Sequence, residues 1–342
     1  MIIVDTKHVL VIGAGSVGKR HLQNLASLGC RLSAMDPRSE RLDEAGNLLE
    51  LEHSFSSMEE IEAYWPEIDG VVICSPPTFH VDQAIKAISC GAAVLLEKPV
   101  SNLLSEAERL ADALEQYSGT LLLGYTYRWW KPLVDFRQRI KEVGKPLHAA
   151  FVMSAHLADW HPWERYQDFF MASRDLGGGA LLDESHFLDL MLWFFGMPEQ
   201  IYGCSEKLSA LEIDTDDNVD LIARYPDGLR VSIHLDLYGR PHKKYITVAG
   251  EKGTLEWSFE PNRVRFGNTA DGEWDETLYA QERNDMFIEV AKEFLEVIDG
   301  EATLTCRLDE GLDVLRMIEA VRKSTEERRE VALDTLGATL CC

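Results

Sequence analysis

The sequence predicts an α/β chain in two parts: a parallel sheet covered by helices, then an α+β part built on one antiparallel sheet. Three observations carry this reading. From Lys7 to Gly124, short apolar runs alternate with amphipathic stretches. After Gly124 the pattern changes, and strand-like runs dominate from Ile201 to Phe266, bracketed by helical stretches. The length of 342 residues suits two domains at roughly 100–200 residues each.

In the first part, His8–Ile12, Leu32–Met35, Val71–Cys74, Ala93–Leu96 and Thr120–Leu123 read as buried strands. Val17–Leu28, Ser39–Leu49, Met58–Tyr64, Phe79–Cys90 and Ser105–Tyr117 carry helical spacing between them. In the second part, Pro132–Glu142 is a helix and Leu147–Ala155 a strand. Gly177–Gly179 then opens one apolar helix, Ala180–Phe195. Pro226-Asp227-Gly228 is a hairpin signal between Val219–Tyr225 and Leu229–Tyr238. A second tight turn falls within Val248–Leu255, and the helices Asn284–Ile298 and Leu308–Lys323 finish the chain. The expected domains are residues 1–124 and 125–342, with the C-terminal helix free to pack back on the first.

Thirty-four Lys and Arg against fifty-eight Asp and Glu leave a formal net charge of −24. That balance argues against nucleic-acid and anionic-membrane partners. The most apolar later stretch, Phe187–Phe195, is interrupted by Asp189 and far shorter than the ~20 residues of a membrane span. No cationic segment precedes the apolar N-terminal run, so no targeting signal is expected. Seven cysteines without CxxC spacing suggest neither a disulfide framework nor zinc, and no cluster has metal-ligand spacing. A reducing cytoplasm is the expected compartment.

Gly13-Ala14-Gly15-Ser16-Val17-Gly18 is a GxGxxG between a strand and a helix. In that setting it marks a Rossmann dinucleotide site. Gly13 permits the tight turn, Gly15 admits a pyrophosphate, and Gly18 lets helix and strand pack closely. The N-H groups at Ser16 and Val17 open the helix towards that anion. Asp36 lies 23 residues after Gly13, where a carboxylate meets the adenosine ribose. It favours NAD over NADP, while Arg38 nearby could pair with a phosphate or lie against adenine. Cys74-Ser75-Pro76-Pro77-Thr78 follows the next strand at the cofactor edge, so Ser75 and Pro76 join the cofactor set. His80 opens the following helix, more a cap or packing residue than a catalyst, and is counted with the cofactor-binding set at that edge, as are Glu97 and Lys98. Leu95-Leu96-Glu97-Lys98-Pro99 places Glu97 and Lys98 at the end of another parallel strand, the edge where ligands bind.

Gly177-Gly178-Gly179 leads into a stretch with Asp183, His186 and Asp189 at i, i+3 and i+6, one broad face of a helix. The rest of that helix is apolar, so the polar face needs a reason: His186 moving a proton while a carboxylate fixes its tautomer.

The GxGxxG, the SPP turn, the EKP tripeptide and this GGG…H…D stretch together resemble the Gfo/Idh/MocA oxidoreductases over about residues 7–330. The resemblance implies a second domain with a large open, mainly antiparallel sheet and homodimers or homotetramers formed through it. It also implies a catalytic Lys98 with a cis Lys98–Pro99 peptide. Many members carry an acid four positions before the histidine, where this chain has Leu182. Its Asp-x-Ser-His form, Asp183 to His186, resembles a subset associated with bacterial surface-sugar biosynthesis. Gly124–Trp130 matches a family segment lining the cleft, which makes Arg128 a cofactor or substrate contact and Tyr127 a substrate contact. Trp160, His161 and Arg165 belong to a candidate substrate loop, and Arg174 precedes the glycine run. Local arginines on so acidic a chain suggest an anionic substrate, such as a nucleotide sugar or sugar acid.

The expected activity is NAD-dependent hydride transfer on a sugar, nucleotide-sugar or cyclitol hydroxyl. Lys98 and His186 handle the proton, converging over one face of the dinucleotide. The alternatives are a redox-neutral NAD-dependent epimerase or glycosidase and a non-catalytic NAD-binding regulator.

Overall fold

The computed structural model describes residues 6–160, 164–301 and 303–333. Six parallel strands make the first sheet: β1 (His8–Ile12), β2 (Arg31–Met35), β3 (His53–Phe55), β4 (Gly70–Ile73), β5 (Ala93–Glu97) and β6 (Leu121–Gly124). Their order is β3-β2-β1-β4-β5-β6, so the direction of winding reverses between β1 and β4. Helices α1 (Ser16–Ser27), α2 (Ser39–Leu48), α3 (Pro77–Ser89) and α4 (Leu104–Tyr117) provide crossovers. The strands read as unbroken apolar runs because both sheet faces are covered: β1 is buried at every position.

Two local expectations change. β3 adds a strand that three residues were too few to announce. Met58–Tyr64 is not an α-helix: the chain makes two 3₁₀ turns, Glu59–Ile61 and Trp65–Glu67. Glu60 accepts hydrogen bonds of 2.7 Å from the backbone N-H and hydroxyl of Ser56. Pro66, lacking an N-H, suits a short turn better than a continued helix.

The chain does not divide at one point near residue 124. Residues up to Trp129 form one compact unit together with Arg283–Leu312, while Trp130–Glu282 and the described residues from Asp313 form the other. The reason is apolar cover. The helix Arg283–Ile298 contributes Val290, Ala291 and Phe294 to the buried cluster that contains Val9, Val11, Leu95 and Leu122 of the first sheet. Fully burying a side chain such as Phe294 is worth about 1.5–3 kcal/mol. A Cβ at Gly70 would stand 2.6 Å from Ile298 Cδ1, so that helix packs directly on β4.

The second unit holds α5 (Lys131–Arg139), β7 (Pro146–Ser154), α6 (Ala180–Asp183), α7 (His186–Phe195) and β8 (Gln200–Glu206). It continues through β9 (Asn218–Arg224), β10 (Arg230–Asp236), β11 (Lys243–Gly250), β12 (Gly253–Ser258), β13 (Arg263–Gly267) and β14 (Asp275–Leu278). The helix Arg283–Ile298 of the first unit is α8, followed by α9 (Leu308–Glu327) and β15 (Val331–Ala332). The nine-stranded sheet runs β14-β13-β12-β11-β7-β10-β9-β8-β15. Its neighbours are antiparallel except β7 and β10. The hairpin at Pro226-Asp227-Gly228 joins β9 to β10, and Asp227 accepts from the Leu229 N-H at 3.1 Å. Residues alternate along these strands. Phe151, Leu221, Ile233 and Trp257 are buried, whereas Tyr202 and Ile222, cross-strand partners on the opposite face, are exposed.

Candidate active site

In the first unit, three turns leave the carboxyl ends of β1, β4 and β5. These strands are adjacent and in register, Ile12 against Ile73 and Ile73 against Leu96. Gly13 has φ +91, and a Cβ there would stand 2.7 Å from the Cys74 carbonyl carbon. A Cβ at Gly18 would lie 1.8 Å from the Gly13 oxygen, so only glycine lets α1 begin this close to its strand. Gly15 is the N-cap with no side-chain cap, and α1 has no acid in its first turn. Gly15 is half-buried and Ser16 and Val17 are exposed. The helix end therefore presents N-H groups and partial positive charge outward, which fits a dinucleotide pyrophosphate.

Asp36 follows β2 and is buried. One oxygen accepts from the Ala14 N-H at 2.9 Å and the other from the Arg38 N-H at 3.0 Å. These bonds hold the carboxylate beside the glycine turn, where a ribose would sit. Arg41, which sequence reasoning missed, reaches Asp36 at 3.5 Å and lies 3.4 Å from a Cβ position at Gly15. Its only signal is a basic residue one helical turn after Arg38.

Ser75 and Pro76 are half-buried, and the Ser75 hydroxyl donates to Gln83 at 2.6 Å. α3 begins at Pro77, earlier than the expected Phe79, so His80 falls in its first turn rather than opening it. Its ring is buried and turned to backbone carbonyls, not outward. Glu97 ends β5 and is buried, its carboxylate 2.8 Å from His21 Nε2. His21 was also missed. It lies on the inner face of α1, three residues beyond Gly18, and carries no sequence signal apart from that position. Lys98 follows, half-buried, and its peptide to Pro99 is cis.

Tyr127 and Arg128 lie in a 3₁₀ turn, Thr126–Trp129, and both are buried. The Arg128 guanidinium pairs with Glu310 and donates to the Thr305 carbonyl at 3.3 Å. These contacts brace Arg128 within its own unit.

In the second unit, the single helix expected over Ala180–Phe195 is two. Glu184 and Ser185 interrupt it, with the 3₁₀-like bond from the Phe187 N-H to the Glu184 carbonyl at 3.0 Å. Asp183 therefore ends α6, while His186 and Asp189 share α7, and the face expected to carry all three is broken. Asp183 and Asp189 are buried and His186 is half-buried. The start of α6 is built from far along the chain. Asp216 Oδ2 accepts from the Leu181 N-H at 2.8 Å, and its backbone carbonyl accepts from the Ala180 N-H at 3.0 Å. Gly179 has φ +110, and a Cβ there would stand 2.2 Å from Asp216 Oδ1. Burial raises the Asp216 pKa above the ordinary carboxylate value, while the Leu181 N-H opposes the shift.

Arg174, expected to meet substrate, is exposed and donates from Nε and Nη2 to the Asp214 carbonyl, at 3.3 and 3.0 Å. Asp214 in return accepts from the Arg174 N-H at 2.8 Å. Arg165 is exposed and Trp160 half-buried, whereas His161 lies outside the described residues.

Among the described residues, His8, Glu52 and Glu67 are close enough to share a metal ion. The His8 ring is already engaged by the Glu67 carbonyl at 3.0 Å and the Ser33 hydroxyl at 2.8 Å. No described helix is long and apolar enough to cross a membrane.

A family model described as "Oxidoreductase family, NAD-binding Rossmann fold" matches residues 7–125, and one described as "GFO/IDH/MocA C-terminal domain" matches residues 137–256. Over 342 aligned residues the chain is 24% identical to the myo-inositol 2-dehydrogenase of Thermotoga maritima, with 95% of this chain and 98% of that protein covered. It is 31% identical to the rhizopine catabolism protein MocA of Rhizobium meliloti over 190 residues, 54% of this chain and 56% of that protein. Among solved structures, the WlbA dehydrogenase from Bordetella pertussis in complex with NADH and UDP-GlcNAcA matches with a TM-score of 0.80 at 22% identity, covering 96% and 98% of the two chains. Levoglucosan dehydrogenase in complex with NADH matches with a TM-score of 0.84 at 18% identity, covering 96% and 99%.

Proposed function

The chain belongs to the Gfo/Idh/MocA family of NAD-binding oxidoreductases acting on CH–OH groups, and on that premise we propose a sugar-type substrate and an assignment of the proton chemistry. The substrate is a sugar, nucleotide sugar or cyclitol, a class supported by relatives named for inositol and levoglucosan and by the UDP-GlcNAcA complex. Bound NAD supplies the hydride acceptor at its nicotinamide ring. Lys98 hydrogen-bonds the reacting oxygen, and His186 takes or returns the hydroxyl proton as general acid/base. Asp189, three residues on along α7, or Asp183 orients the imidazole.

The observation that carries this reading is the shared sheet edge of the first unit. Gly13, the Ser75–Pro76 turn and Lys98 follow three adjacent strands at their carboxyl ends, where such sheets bind ligands. Arg165 and Arg174, both exposed, are the cations for an anionic substrate, Arg174 while also donating to the Asp214 carbonyl. We also infer a homodimer or homotetramer through the open sheet face bearing Tyr202 and Ile222. A reducing cytoplasm is consistent with the free thiols of Cys30, Cys74, Cys90, Cys204 and Cys306.

The test is a thermal-shift and NADH-absorbance screen with NAD against nucleotide sugars, free sugars, inositols and sugar acids. At 100 times its dissociation constant, NAD should stabilise the protein by ~2.7 kcal/mol, and one class should generate NADH. No stabilisation by NAD would overturn the reading. Turnover of a sugar without NADH accumulation would replace it with the redox-neutral one.

A further inference from the structure

His80 makes two contacts that packing alone does not call for. Its ring is buried within the first unit, with Nδ1 2.8 Å from the Pro99 carbonyl oxygen and Nε2 2.7 Å from the Ser75 carbonyl oxygen. Carbonyl oxygens only accept, so each contact needs an N-H on the facing nitrogen. Burial lowers the ring's pKa below its ordinary value against the pull of the two carbonyls and Glu97, so the favoured neutral ring has one N-H to donate to one of the two carbonyls. One side chain thus touches both the turn after β4 and the residue next to Lys98.

We propose that His80 is a positioning residue for Lys98: by donating to the Pro99 carbonyl it holds the tripeptide after β5 against the Ser75 turn. The inference rests on the assignment of Lys98 to the reacting oxygen. Its physical basis is the sensitivity of proton transfer to placement, since an error of about 1 Å can cost ~10²-fold in rate.

Three substitutions separate the two contacts. His80→Asn keeps a donor near the Nδ1 position, His80→Gln keeps one near Nε2, and His80→Phe keeps neither. The readouts are kcat across pH on the substrate found by the screen, the NAD dissociation constant by calorimetry, and thermal melting. The expected result is a kcat loss of roughly 10²-fold in His80→Gln and His80→Phe, with a displaced kcat–pH profile. His80→Asn should restore most of the rate and the wild-type profile. NAD affinity should stay within about threefold in all three, because the ring faces backbone rather than ligand.

Wild-type kcat in His80→Gln, or an equal loss in His80→Asn and His80→Phe, overturns the proposal. So does loss of NAD binding in all three, which would make the ring a fold support only. Lys98→Ala, measured alongside, keeps the two readings apart. Undiminished turnover there removes the Lys98 assignment, whereas a loss there with wild-type turnover in His80→Gln removes only the positioning role.

Discussion

Both units open a helix with a glycine-rich segment, and they build it by opposite means. In the first, Gly18 is required by the Gly13 carbonyl within the same β1–α1 turn, while Gly13 is required by its own φ of +91 and by Cys74 and Ser75 in the turn after β4. In the second, Gly179 is required by Asp216, whose side chain and carbonyl also cap α6. The Gly13–Gly18 contact and the positive φ of Gly13 are local and carry a spacing that can be read from a string of letters. The second arrangement depends on a residue with no sequence relation to the helix it starts. Residue spacing therefore predicts a site as far as the contacts that shape it are local.

The largest effects should fall where each unit carries its proposed chemistry. Lys98→Ala and His186→Ala should each lower kcat by roughly 10²–10⁴-fold, with the NAD dissociation constant from calorimetry little changed. Next comes the local turn. Gly13→Ala forces a side chain into φ +91 against backbone 2.7 Å away. With left-handed backbone costing about 1–2 kcal/mol, NAD affinity should fall about tenfold or more, measured by the same titration. Unchanged affinity would break the claim that this turn is the cofactor cradle.

Asp216→Ala removes the long-range cap and should lower stability by about 0.5–2 kcal/mol in denaturant melts. It should reduce kcat while leaving NAD affinity intact, a split that distinguishes the second unit's segment from the first's. Equal loss of NAD affinity would erase the distinction.

The smallest effect concerns the sheet of the second unit. His234 lies 3.1 Å from Asp236 and 2.7 Å from Asp220. Asp236 first, and then Asp220, pushes its pKa up to about 9 from 6.5. Because the folded value is raised, the stabilisation is complete below about pH 6.5 and disappears as pH climbs through about 9. The side chain is 35% exposed, so the contribution is about 1 kcal/mol or less. His234→Ala should melt lower than the wild type at pH 6 and nearly equal to it at pH 10. A difference independent of pH would exclude the ion pairs as its source.

Much of the fold was legible. Five of the six strands in the first sheet announce themselves as apolar runs, and the Pro226-Asp227-Gly228 turn fixes the pairing of β9 with β10. What escaped was either short or distant. β3 has three residues, and the break at Glu184–Ser185 lies inside an uninterrupted helical pattern. α8 joins the first unit only because its apolar face covers a sheet assembled long before it in the chain. The candidate site divides along the same line. Gly13, Asp36 and Lys98 follow from strand ends, while His21, Arg41 and Asp216 matter through side-chain contacts that no spacing records. The contacts of Arg128 with Glu310 and of Arg174 with the Asp214 carbonyl are likewise invisible to spacing.

Lys98 and His186 are proposed to serve one proton transfer, and kcat of the Lys98→Ala/His186→Ala double variant tests that most directly. Groups acting as a unit are strongly non-additive, so the double variant should be within about threefold of the slower single variant. Losses that multiply, or wild-type turnover in either single variant, would contradict it.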